Sequence, residues 1–194
     1  AVERLLIAIS NQEEIIVYGD YDVDGVTATV LMVEVIRELG GKVTRYIPNR
    51  FDEGYGLNIE AVQMLADSGA KVILTVDCGI RSPREADLAR KLQVDLIISD
   101  HHHPKDELPQ AFAVICPKRA GDAYPDKDLA GVGVAFKIAQ GLIQRAVVVG
   151  ERVGQRADRG PDRFLLVRGR QAAGTVAAVV ADEFGVHDLG PYPT

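Results

Sequence analysis

Tyr18-Gly19-Asp20-Tyr21-Asp22-Val23-Asp24-Gly25 is the stretch on which the fold turns. It sets three carboxylates directly after the apolar, β-branched run Ile15 to Tyr18 and directly before Val26 to Leu39, whose apolar residues recur at helical spacing. Strand, polar turn and helix in that order form half of a right-handed crossover. The polar turn then lies at the carboxyl end of a strand, where parallel sheets carry their sites.

Outward from this stretch the alternation continues. Val43 to Ile47, Val72 to Val76, Leu96 to Ile98 and Ala113 to Ile115 read as strands, and Asn58 to Ala66 and Pro83 to Leu92 as helices. The expected fold is α/β and doubly wound, a mainly parallel five-stranded sheet with helices on both faces. Asp77 follows the third strand, and Asp100, His101, His102 and His103 follow the fourth. Three polar clusters therefore fall on one edge of the sheet.

With 194 residues, 47% of them hydrophobic, the chain is long enough to bury a full core. No apolar run approaches the roughly eighteen residues of a membrane span, and Ala1 to Ser10 has no basic-then-apolar leader pattern, so a soluble, cytoplasmic protein is expected. The first residue is Ala, and Ala1 to Ile9 already reads as an amphipathic helix, so the chain is expected to be part of something longer. A net charge of −6 argues against binding nucleic acid through bulk positive charge, but not against an enzyme whose acidic groups surround metals. Cys78 and Cys116 lack paired spacing and are expected to be small buried residues.

After Val147 no Lys, Ile, Asn, Met or Cys appears, while Arg, Gly, Ala and Val dominate. The chain is accordingly divided into a domain over 1–146 and an atypical segment over 147–194. Within the latter, Gly150 to Gly174 is expected to be loop or poorly ordered.

No Lys or Arg between Glu14 and Arg37 neutralises the carboxylates of Asp20, Asp22 and Asp24. A solvated acidic turn is the plain alternative, weakened by the position between a buried strand and a helix. A calcium loop is excluded, because Leu31 stands where the bidentate Glu is needed. Asp77 taken singly reads first as a helix cap for the segment that follows. The run Ser99-Asp100-His101-His102-His103-Pro104 is harder to explain without chemistry, since adjacent buried imidazoles need partners. Carboxylates with imidazoles and no thiolates suit Mn²⁺ or Mg²⁺, and several such ligands suggest two ions, an arrangement fitted to phosphodiester hydrolysis. Leu129 to Lys137 opens a helix with Gly131 and Gly133, either to offer N–H groups to an anion or to permit close packing. Arg50, after the second strand, is either a phosphate contact or an ordinary surface arginine.

Taken in order, Gly19-Asp20-Tyr21-Asp22-Val23-Asp24-Gly25, Val76-Asp77-Cys78-Gly79, Asp100-His101-His102 and Leu129-Ala130-Gly131-Val132-Gly133-Val134-Ala135-Phe136-Lys137 resemble the DHH phosphoesterases. Within that family the resemblance is nearest to the bacterial single-strand exonuclease branch. Ile47-Pro48-Asn49-Arg50 with Glu53-Gly54-Tyr55-Gly56, and Pro117-Lys118-Arg119 ahead of Tyr124-Pro125, extend it from Ala1 to about Arg145. The resemblance implies Asp22, Asp24, Asp77 and His101 as metal ligands, Asp77 bridging both ions. It implies Asp20 and Asp100 as groups that orient ligands or water, and His102 as facing the scissile phosphate. Arg50, Gly131, Gly133 and Lys137 would hold the nucleic-acid backbone.

The implied activity is 5′ to 3′ exonuclease action on single-stranded DNA in repair and recombination. Two alternatives remain: a phosphodiesterase for oligonucleotides, cyclic dinucleotides or polyphosphate, and a non-catalytic module binding nucleic acid or a partner. The family's fourth motif, Asp-Leu-Val-Ala-Leu-Gly-Thr-Val-Ala-Asp-Val-Val, finds only Gly169-Arg170-Gln171-Ala172-Ala173-Gly174-Thr175-Val176-Ala177-Ala178-Val179-Val180 here. Gly169 stands at the ligand Asp and Ala178 at the second Asp, with Asp162 and Asp182 as substitutes that spacing does not separate. The family's glycine-rich His motif and the branch's oligonucleotide-binding barrel are not present in this sequence.

Overall fold

The computed structural model describes residues 1–49, 56–105 and 107–154. Its elements run α1 (Val2–Ser10), β1 (Glu14–Tyr18), α2 (Val23–Glu38), β2 (Lys42–Tyr46), α3 (Ile59–Asp67), β3 (Val72–Val76), α4 (Pro83–Lys91), β4 (Asp95–Ser99), β5 (Ala113–Ile115) and α5 (Gly131–Gly154). The five strands form one parallel sheet in the order β2-β1-β3-β4-β5, the doubly wound architecture expected. The order reverses direction beside β1, so the β1 and β3 ends form the crevice such sheets use for ligands.

Both faces are covered because each inner strand alternates its side chains between two cores. On one face Ile15, Val17, Val72, Leu74 and Val76 pack with Leu5 and Ile9 of α1, Met32 and Ile36 of α2, and Leu142 of α5. On the other, Ile16, Tyr18, Ile73, Leu96 and Ile98 pack with Val62 and Leu65 of α3 and with Ala86 and Ala89 of α4. The register fixes this division. Ile16 pairs with Ile73 and Val17 with Leu74, so a slip of one residue would turn both apolar sets over.

Beyond shifts of a single residue at several element ends, two differences from the sequence reading have physical reasons. Helix α2 starts at Val23, because Asp22 has extended backbone geometry and its Oδ1 accepts the Gly25 N–H at 2.9 Å, which starts the helix inside the acidic run. Helix α5 continues through Gly150 to Gly154, so residues 150–154 are helix rather than the expected loop. Its buried stripe Val134, Ile138, Leu142 and Ala146 recurs every four residues, and the glycine at 150 costs only about 1 kcal/mol against Ala. The compositional change near Val147 thus falls inside a helix. The degenerate fourth motif and the remainder of 155–194 lie outside the described residues.

Candidate metal centre

The three polar turns meet at the carboxyl edge of the sheet. After β1, Asp20 is fully buried and its Oδ1 accepts the Tyr21 N–H at 2.7 Å. A Cβ on Gly25 would lie 2.7 Å from Asp20 backbone and side-chain atoms, so only glycine lets the first turn of α2 fold back onto this carboxylate. Asp24, in that first turn, reaches away from its own helix. Its Oδ2 accepts the Gly131 N–H at 2.6 Å and its Oδ1 the Val132 N–H at 2.7 Å, which makes Asp24 the anion at the start of α5.

After β3 the chain enters a tight turn in which Asp77 itself takes a left-handed backbone, φ 64°. Its N–H still completes the ladder to the Ser99 carbonyl at 3.0 Å, while its side chain is thrown into the centre with 1% exposure. A Cβ on Gly131 would stand 2.4 Å from Asp77 Oδ1, so α5 approaches this carboxylate through a position only glycine can fill. Gly131→Ala should therefore lower the melting temperature by several degrees, the usual cost of about 1–3 kcal/mol for an overpacked site. Thermal unfolding followed by circular dichroism checks this.

After β4, Asp100 organises the histidines. Its Oδ1 accepts the N–H groups of His101 (2.7 Å) and His102 (3.0 Å) and lies 2.7 Å from His102 Nδ1, while its Oδ2 accepts the Ile80 N–H at 2.9 Å. His101 Nδ1 lies 3.0 Å from the Leu129 carbonyl, which can only accept, so Nδ1 carries a hydrogen. His102 Nδ1 likewise donates to Asp100. His101 thus turns an unprotonated Nε2 toward another partner, and the two rings meet edge to face at 4.6 Å.

The electrostatics single out one group. Asp20, Asp22, Asp24 and Asp100 each receive one or more backbone N–H groups, two of them at helix N-termini. Asp77 Oδ1 is buried and receives no hydrogen bond among the described residues; His101 Nε2 lies 3.1 Å from it and 3.7 Å from Asp24 Oδ2. Burial first, and then the charges of Asp24, Asp22, Asp100 and Asp20, push the Asp77 carboxyl up to about 8. A ring nitrogen lone pair facing two carboxylates is reconciled only by a proton or a cation between them. One ligand atom each from Asp77, His101 and His102 lies within 4.8 Å of the others, and the same holds for Asp20, Asp22 and Asp77. Asp77 is common to both groups, and oxygen and nitrogen donors in this mixture fit a hard divalent ion.

Most of the residues expected from the sequence therefore gather in one place. Gly131 touches Asp77, and its N–H is taken by Asp24 rather than left open. Gly133 packs against the Leu129 side chain, and Lys137 Nζ donates to Gln140 Oε1 at 3.1 Å, one helical turn along α5. Arg50 lies outside the described residues, as do Gly169 and the substitutes Asp162 and Asp182. The sequence reading missed the Leu129 carbonyl and the Ile80 and Val132 N–H groups. These are backbone atoms, to which residue identity gives no signal.

Several known proteins are similar to this chain. Residues 14–158 match the DHH family, N-terminal domain. The single-stranded-DNA-specific exonuclease RecJ of Bacillus subtilis (strain 168) is 50% identical over 143 residues, 74% of this chain and 18% of its own length. Its counterpart from Dickeya dadantii (strain 3937) is 42% identical over 184 residues, covering 93% of this chain and 31% of its own. A crystal structure of exonuclease RecJ bound to manganese superimposes with a TM-score of 0.68 at 28% identity, over 96% of this chain and 51% of that one. The chain thus spans less than a third of the length of these two curated relatives.

Proposed function

This chain belongs to the DHH family, and from that premise we propose that it is the metal-binding domain of a Mn²⁺- or Mg²⁺-dependent exonuclease acting 5′ to 3′ on single-stranded DNA. The observation that carries the reading is Asp77, a buried carboxylate without a hydrogen-bond donor among the described residues, shared by two groups of candidate ligands. Its relatives are single-stranded-DNA-specific exonucleases and the superimposed exonuclease is bound to manganese, which supports this substrate and this metal.

In this reading Asp22, Asp24, Asp77 and His101 would hold two ions, Asp77 being the residue common to both groups of candidate donors. Asp24 retains lone pairs for this while anchoring α5, since each carboxylate oxygen accepts from more than one direction. Asp20 and Asp100 orient their neighbours, and His102 presents Nε2 to the scissile phosphate. Arg50, Gly133 and Lys137 are assigned to the nucleic-acid backbone; Gly131 is assigned to the same surface through its contact with the centre. When bound, the ions activate water and neutralise charge developing at phosphorus in an in-line displacement. The chain's own part is to hold four carboxylates with backbone donors around the buried Asp77, so that little has to move when substrate arrives.

The test is Mn²⁺ titration by calorimetry beside hydrolysis of single strands labelled at either end. Two bound ions, with mononucleotide released first from the 5′ label, is the expected result. Release first from the 3′ label would overturn the polarity, and turnover of a dinucleotide but not a long strand would overturn the substrate. Absence of Mn²⁺ binding would overturn the reading as a whole.

A further inference from the structure

The left-handed turn that aims Asp77 is closed by a residue with no contact to the carboxylates. Thr75 is fully buried on β3, two residues before Asp77. Its hydroxyl donates to the Cys78 carbonyl at 2.8 Å, across the turn, and accepts from the Ser99 N–H of β4 at 3.4 Å. The same oxygen would lie 3.0 Å from a Cβ on Gly79, the second left-handed position of the turn at φ 103°. Between these two fixed points stands Asp77 at φ 64°, its N–H bonded to Ser99 and its side chain against Gly131.

A buried hydroxyl at this position is not required by packing. Val or Ile fills every other β3 position apart from Leu74, and Val has the branched shape of Thr75 without its hydroxyl. What an apolar side chain cannot do is bond the Cys78 carbonyl. Without that bond the carbonyl is left unpaired in a buried site, and the turn has a reason to relax toward backbone angles that β-region residues prefer. Any such relaxation rotates Asp77 away from His101 and from Asp20 and Asp22, because its side chain follows its own φ.

Resting on the metal-centre reading above, we propose that Thr75 is a positioning residue whose hydroxyl sets the direction of the Asp77 carboxylate, and through it the affinity of the centre for divalent ions. Thr75 acts at one remove, as the supporting groups behind metal ligands do; changes at such groups lower affinity by about 10- to 100-fold.

The experiment compares Mn²⁺ affinity by calorimetry in wild type, Thr75→Val and Thr75→Ser, with folding checked by circular dichroism. Thr75→Val, which keeps shape and loses the hydroxyl, should bind Mn²⁺ about tenfold more weakly, and Thr75→Ser should stay within about threefold of wild type. Equal affinity in a folded Thr75→Val overturns the proposal, and so does an equal loss in Thr75→Ser, which would assign the effect to the methyl group. Should Thr75→Val not fold, Gly79→Ala strains the same turn from its other end. A tenfold loss there supports the proposal and unchanged affinity overturns it. A wild type that binds no Mn²⁺ removes the metal-centre reading and this one with it, whereas wild-type binding with an indifferent Thr75→Val removes this one alone.

Discussion

Asp77→Asn is expected to reduce cleavage of a labelled single strand by at least about a thousandfold, equivalent to about 4 kcal/mol of lost transition-state stabilisation, while making the metal-free protein more stable. The two effects have one cause. Asp77 is buried among four other carboxylates with no hydrogen-bond donor among the described residues, so in the absence of a cation its charge is unfavourable. Asn keeps the shape and tolerates the left-handed backbone at φ 64°, so the turn itself should persist. Thermal unfolding in chelator should show the Asp77→Asn variant melting higher by on the order of 5 °C, at a pH near 7. Manganese should raise the melting temperature of wild type and leave that of Asp77→Asn unchanged. A variant that is both inactive and less stable without metal would mean that Asp77 is a structural residue.

Proton linkage at the same residue gives the second large effect. The Asp77 carboxyl is raised to about 8 by burial and then by Asp24, Asp22, Asp100 and Asp20, so below that pH an incoming ion has to displace a proton. Mn²⁺ affinity should climb about tenfold per pH unit between roughly pH 6 and 8 and flatten above 8. The stability of the metal-free chain should run the opposite way. A folded-state carboxyl held above its unfolded value near 4 binds a proton that the unfolded chain has already released, so stability falls as pH rises from about 4 and levels off above 8. Calorimetric titrations at several pH values, paired with melting curves in chelator, test both slopes. A flat affinity profile over pH 6 to 8 would show that Asp77 is already ionised before metal arrives.

The strands and the three acidic or imidazole turns were legible in the sequence because β-branched runs and polar residues alternate cleanly along it. Ile15 to Tyr18 and Val72 to Val76 announce buried strands, and Asp20, Asp77 and Asp100 each stand just after one. What residue types could not reveal was the division of labour among the carboxylates. Asp22 caps α2 and Asp24 caps α5, and the second depends on a contact across 107 residues that no local pattern encodes. Gly131 looked like an anion-binding glycine; the anion turned out to be Asp24, and the glycine is required by the approach of α5 to Asp77. Gly150 suggested a helix end, but the four-residue stripe ending at Ala146 carries α5 past it. Thr75 reads as an ordinary strand residue until its hydroxyl is seen to close the Asp77 turn.

The clamp of Asp24 on the first two amides of α5 also fixes a schedule. At about 5 to 20 residues per second, a ribosome delivers Gly131 some 5 to 20 s after Asp24, since the two are 107 positions apart. Only over the last 30 of those positions, about 1.5 to 6 s at the same rate, can β1, β3 and β4 be paired with Asp22, Asp77 and His101 all in the nascent chain, while the helix that packs against Asp77 and the Leu129 carbonyl that holds His101 are still to be completed. Completion of the centre therefore waits on α5, and until Gly131 has been made the nascent chain carries its acidic cluster only half assembled.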